Sequence, residues 1–224
     1  MSRGWNAPAY ARWLCVAVAT AVLAWGAGES WQAARAHRSV EVATSALQAW
    51  REQPPRGVDW SSLWRQLQQA EVLEPDNPAT QELLGLLAVR RHEDFAMLEQ
   101  AIKRFERSLA ARPISPNTWA NLAAARYQIG DTGPAFQAAL RNAARLGPSH
   151  PNSQRLVAFH GLAVLDELDA ATRRAVETMV AAGMRRSPAE FLAIAERRGR
   201  ADVACRYLPE VRRKIDPRWT QLCS

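Results

Sequence analysis

Lysine is almost missing from this chain. Lys103 and Lys214 are its only two, every other basic residue is arginine, and the formal net charge is still +7. Basic residues are not interleaved with aromatics as on a base-stacking platform, so a nucleic-acid partner is not expected. Long alternating apolar–polar runs and Asn-Gly hairpin turns are absent too, which excludes a strand-based fold. Ala, Leu, Arg, Glu and Gln dominate, and most prolines fall between periodic apolar segments, where they end helices. The expected fold class is therefore all-α.

Catalytic signatures are also lacking. His37, His92, His150 and His160 form no ligand pair at helical spacing, and no Walker loop, G-x-G-x-x-G or G-x-S-x-G occurs. Asp166, Glu167 and Asp169 read as a cap and a solvated helix face, and His92-Glu93-Asp94 as a polar loop. Neither an enzyme nor a bound cofactor or metal is expected.

Residues 13–28, WLCVAVATAVLAWGAG, carry no charge, with Arg3 and Arg12 before them and Glu29 after. That is the layout of a secretory signal or signal anchor. The uncharged stretch is sixteen residues, short of the roughly 20 that span a bilayer, unless Arg12 snorkels and Tyr10 and Ala11 extend it. Trp13 and Trp25 sit near its two ends like interfacial anchors, and Ala24 and Gly26 leave a cleavable signal peptide open. The first reading is a single pass through a bacterial inner membrane with the rest in the periplasm. Cys15 lies in this run, which leaves Cys205 and Cys223 as an even pair in the exported part and a candidate disulfide. Closing that loop contributes roughly 3 kcal/mol in the chain-entropy picture.

Prolines then mark a repeat. Pro75, Pro113 and Pro148 end similar segments, and Pro78, Pro116 and Pro151 follow them where a next helix opens. Leu63, Leu67 and Ala70 share offsets with Ala101, Phe105 and Ser108, and with Phe136, Leu140 and Ala143. Steps of four and three place each trio on one helical face. Leu84-Gly85, the set Trp119, Leu122, Ala123 and Tyr127, and the turn at Gly130-Asp131 complete two of the units.

On these residues the chain resembles the tetratricopeptide family. NTWANLAAARYQIGDTGPAFQAALRNAARLGPSHP, residues 117–151, is similar to a nearly complete repeat, and the likeness extends over 63–151. It departs in that Ala123 replaces the usual Gly, Tyr127 lies one position late, and extra residues enter near His92–Phe95. The resemblance implies a short α-solenoid of antiparallel helix pairs whose concave groove is lined by Gln81, Asn117, Asn121 and Ala124. The organisation expected is a signal or transmembrane helix over 1–29, a helical stalk over 30–57, repeats over 58–151, and a degenerate repeat with a helical cap over 152–224.

Arg173–Arg218 holds twelve basic residues against six acidic ones. Within it Arg185, Arg186, Arg197 and Arg198 form a candidate patch for an acidic glycan or lipid head group. Tryptophans such as Trp60, Trp64 and Trp119 read as helix packing, with Trp5 and Trp219 open. Together these features point to a membrane-anchored, exported scaffold binding protein partners in a cell-envelope machine, exopolysaccharide synthesis or export among them. The alternative is an assembly chaperone for a cytochrome c, pilus or secretion system. A glycan-active enzyme is the third reading.

Overall fold

The structure is a computed structural model that describes residues 9–49, 57–90, 94–210 and 216–223. Every regular element among them is helical. Contacts divide the chain into two compact units, Met1–Pro75 and Asp76–Ser224.

The first unit pairs two helices. α1 (Ala9–Ala49) and α2 (Gly57–Leu73) pack together through Ala36, Ala43 and Leu47 of α1 and Leu63, Leu67 and Ala70 of α2. α1 runs as one continuous helix through residue 29, where the expected signal or anchor segment passes into the expected stalk. Glu29 and Ser30 change the chain's polarity without ending its hydrogen bonding, and neither residue is a helix breaker. Trp60 and Trp64 stack on each other with centroids 5.2 Å apart. The apolar start of α1 is exposed along its length, with Trp13, Leu23 and Trp25 each about 70% accessible. No helix among the described residues is long and apolar enough to cross a membrane. Sixteen residues give about 24 Å of helix against a hydrocarbon layer of about 30 Å.

In the second unit, helices follow one another as packed pairs: α3 (Pro78–Val89) with α4 (Phe95–Ala111), α5 (Pro116–Gln128) with α6 (Pro134–Leu146), and α7 (Pro151–Ala163) with α8 (Ala170–Arg186). Each of α3, α5 and α7 opens on its expected proline, where the missing N–H costs nothing. Asn77, Ser115 and Asp169 cap α3, α5 and α8 by accepting backbone N–H bonds, and Asp94 does so for α4. The remainder of the insertion, residues 91–93, lies outside the described residues, as do Trp5 and residues 50–56. Gly130 turns the chain at φ 77° between α5 and α6, a left-handed conformation that favours glycine.

Six of the nine repeated-offset positions fall in this unit, on α4 and α6, and all six are fully buried. Phe105 and Phe136 bring the largest side chains, each worth about 2–3 kcal/mol of apolar burial. Glycine lets the helices approach. A Cβ at Gly85 would lie 2.7 Å from the Phe105 ring, and one at Gly161 2.4 Å from Val176.

The C-terminal part is built of short elements. α9 (Pro188–Arg197) ends at Gly199, whose φ is 66°, and α10 (Ala201–Cys205) is followed by a 3-10 turn at Leu208–Glu210. α11 (Pro217–Leu222) closes the chain. A disulfide joins Cys205 to Cys223 with Cα atoms 5.3 Å apart, and Trp219 of α11 is buried. Arg218 pairs with Glu196 at 3.0 Å but is itself exposed. Reduction is expected to release α11, because six helical residues cannot hold a helix unaided. Limited trypsin digestion with and without reductant checks this. Faster cleavage after Arg218 in the reduced protein is the expected result, and equal rates in both states would show that packing alone holds the tail.

Candidate binding cleft

Three helices of the second unit open a cleft of about 420 Å³. α4 contributes Glu106, Leu109 and Ala110, α5 contributes Trp119, Leu122 and Arg126, and α6 contributes Ala135 and Ala138. Trp119, Leu122 and Arg126 are three and four apart, one stripe of α5. The alanines of α4 and α6 keep the walls low. The Trp119 indole Nε1 donates to the Pro113 carbonyl at 2.8 Å, which fixes the ring across the α4–α5 connection. Arg126 crosses one end of the cleft and bonds Glu106 at 2.6 Å and Asp131 at 2.5 Å. The outcome is an apolar trough with a charged, ion-paired end, on a scale that takes apolar side chains of a partner.

The residues expected to line a groove lie elsewhere. Gln81, Asn121 and Ala124 are buried in helix packing. Gln81 accepts from Arg104 at 2.9 Å. Asn117 is half-buried, and its Oδ1 has no hydrogen-bond partner. Asn121 and Ala124 are drawn inward because α5 packs on α4, α6 and α7, and Gln81 because α3 packs on α4. What the sequence reading missed is the opposite stripe of α5, which the alternation of Trp119, Leu122 and Arg126 with small residues on α4 and α6 marks only after the pairs are docked.

Charged groups tie the pairs together. Glu82 accepts from Arg112 at 2.6 Å. Burial raises the Glu82 pKa, against the lowering pull of the Thr118 hydrogen bond and the Arg112 charge. Asp169 accepts from the Thr172 amide at 2.7 Å and meets Arg141 at 2.7 Å, and that amide bond leads the causes that lower its pKa. Asp166 pairs with Arg200, and Thr132 donates to Glu167 at 3.1 Å. The acidic trio thus caps a helix and bridges neighbours.

His160 is 6% exposed, with its ring 5.0 Å from Tyr127 and edge-on to Phe159. Burial, helped by the nearby Arg198 charge, lowers its pKa to about 4. Arg198 sits over Phe159, its guanidinium carbon 3.5 Å from the ring centroid, and Arg197 lies over the same ring at 5.7 Å. Arg185 and Arg186 instead end α8, and Arg186 donates to the Ser149 carbonyl at 2.9 Å. Arg185 and Arg186 thus lie at the end of α8, and Arg197 and Arg198 at the end of α9. Among the described residues no cluster of His, Cys, Asp and Glu has the geometry of a metal site. No protein-family model matches the chain, and no curated protein matches it.

Proposed function

We propose that the chain is a tetratricopeptide-like scaffold that holds a protein partner through the α4–α5–α6 cleft. The observation that carries this reading is the trough itself, in which partly exposed Trp119 stands over a floor of buried Leu109 and Leu122 and the rim alanines Ala110 and Ala135 are exposed. Its apolar floor and its charged end at Glu106–Arg126 suit a segment that brings apolar side chains flanked by polar ones. The exposed apolar start of α1 supports a place at the cell envelope. We read it as the part that engages the membrane for export or anchoring, despite falling short of a full span. The Cys205–Cys223 disulfide fits an oxidising compartment such as the periplasm. Partners in exopolysaccharide synthesis or export remain the first choice for such a scaffold, and a maturation chaperone the second.

Ala110 and Ala135 are exposed rim positions of the cleft, so substitutions there leave the core intact. A photo-crosslinking amino acid at either position, in cells of the native host, is expected to give a discrete protein adduct. The same group at Arg174, an exposed residue of α8 away from the cleft lining, is expected to give none. Adding Ala138→Arg should abolish the adduct while the circular dichroism spectrum stays unchanged. Equal labelling at all three positions, or adducts that survive Ala138→Arg, would sink the cleft as the partner site.

A further inference from the structure

The α4–α5–α6 trough has a length and a pattern of polarity. α5 packs between α4 and α6, and its stripe from Trp119 through Leu122 to Arg126 covers about two turns, or about 10 Å of helix. Polar side chains stand only at the two ends. At one end Glu106 pairs with Arg126 at 2.6 Å. At the other the Trp119 indole Nε1 is already bonded to the Pro113 carbonyl. Leu109, Ala110, Leu122 and Ala138 lie between them, and none carries a polar side-chain atom.

That pattern separates two kinds of occupant. An extended peptide draws its affinity from main-chain hydrogen bonds. Here its N–H and C=O groups would leave water for leucine and alanine side chains that cannot answer them. A helix brings its backbone already bonded, and lays down side chains at i, i+3 or i+4, and i+7. The step from i to i+7 is about 10 Å, the length of the trough. The exposed alanines Ala110 and Ala135 let such a helix come close to the walls.

Charge then selects among helices. Lys103 shares one stripe of α4 with the lining residues Glu106 and Ala110, at steps of three and four. Arg145 shares one stripe of α6 with Ala135, Ala138 and Asn142, at steps of three, four and three. Short turns join α4 and α6 to α5, and both run against it, so the two cations lie beyond opposite ends of the trough. Both are exposed. Among the described residues Lys103 has no carboxylate partner, and Arg145 donates to the Asn142 side chain at 3.3 Å. Residues 95–146 hold seven basic residues against three acidic ones, so the field around the trough favours an acidic partner.

We propose that the partner segment is an amphipathic α-helix whose apolar stripe, about two turns long, is bounded at each end by acidic side chains. The inference rests on the trough being the partner site. Lys103 and Arg145 meet the acidic ends, and the stripe seats against Trp119, Leu109 and Leu122.

Fluorescence anisotropy of dye-labelled synthetic peptides, titrated with the full chain in a neutral detergent, tests it. The peptides are hydrocarbon-stapled, because short free peptides are marginal helices. Each carries glutamates in both end turns, and positions i, i+3 and i+7 vary among leucine, isoleucine, phenylalanine and methionine. The best of them is expected to bind with a dissociation constant on the order of 10 μM. An unstapled version with a central proline, and a stapled version with lysine for glutamate, should bind at least about tenfold more weakly. Lys103→Gln/Arg145→Gln should weaken the acidic helix by at least about threefold, and both sites are exposed, so the fold is kept. Ala138→Arg adds positive charge yet obstructs the trough, and it should weaken the same peptide at least about tenfold. Equal or tighter binding of the proline or lysine peptide overturns the proposal, as does absence of binding by every acidic helix. So does a double variant or an Ala138→Arg chain that binds like the native one. Self-association that Ala138→Arg abolishes assigns the trough to a second copy and overturns it as well. The adducts at Ala110 and Ala135 judge the trough separately: adducts lost in Ala138→Arg, with no preference for acidic helices, overturn this inference alone.

Discussion

Truncating Phe105 to alanine is expected to lower the stability of the Asp76–Ser224 unit by about 4 kcal/mol. The ring is wholly buried in α4 and lies directly against the backbone of α3 at Gly85. Its loss removes apolar burial and leaves a cavity that two rigid helices cannot close. Gly85→Ala is the complementary change. Its new methyl group would meet Phe105 carbons at 2.7, 2.9 and 3.0 Å, and the buried ring has little room to retreat. Overpacking of this kind costs about 1–3 kcal/mol. In the Phe105→Ala background the same methyl enters vacated space, so the double variant should be more stable than the sum of the single losses by at least about 1 kcal/mol. Gly130→Ala provides the contrast. A Cβ there meets nothing, but φ is 77°, so its cost of about 1–2 kcal/mol is backbone strain that Phe105→Ala does not relieve. Urea denaturation of six proteins, the native chain, the three single variants and the two doubles with Phe105→Ala, supplies all the terms. Strict additivity of Gly85→Ala and Phe105→Ala would mean that the α3–α4 approach is not what Gly85 serves.

That pair illustrates what the sequence could reveal. Proline positions and the four-three apolar steps are local constraints, so the starts of α3, α5 and α7 and the buried trios of α4 and α6 were legible. The Cys205–Cys223 pair was legible from parity once Cys15 was set aside in the apolar run. Other features depend on docking. The change of composition after Gly28 does not stop helical hydrogen bonding, and α1 continues to Ala49. Gln81 and Asn121 look like surface amides, but the middle helices of a stacked array are covered from several sides. The α4–α5–α6 cleft is lined largely by leucine and alanine, which carry no chemical signature. Four arginines close in sequence lie at the ends of two successive helices, α8 and α9.

His160 belongs to the same class, and its consequence is measurable. In sequence it is a lone histidine without a ligand partner. In the fold, Tyr127, Phe159 and Arg198 enclose it, and the imidazole is held neutral with a pKa of about 4. An unfolded chain takes up that proton near pH 6.5. Between about pH 6.5 and 4 the unfolded state therefore binds a proton that the folded state refuses, and stability falls as pH falls. Below about pH 4 both states are protonated and the loss levels off. The gap between the two pKa values corresponds to at most about 3 kcal/mol. Asp169, with its lowered pKa, adds acid sensitivity in the same direction, and Glu82, with its raised pKa, opposes it. The His160 contribution is therefore read as a difference between proteins. His160→Phe keeps an aromatic ring beside Tyr127 and Phe159 but cannot titrate. Urea denaturation at pH 7.5 and at pH 4.5 is expected to show the native chain losing about 2–3 kcal/mol more than His160→Phe over that interval. A direct check is the imidazole proton resonance of His160, which should not titrate until the pH approaches 4. Parallel stability curves for the two proteins, or a midpoint near 6.5, would place the imidazole in contact with water and remove Arg198 as a cause.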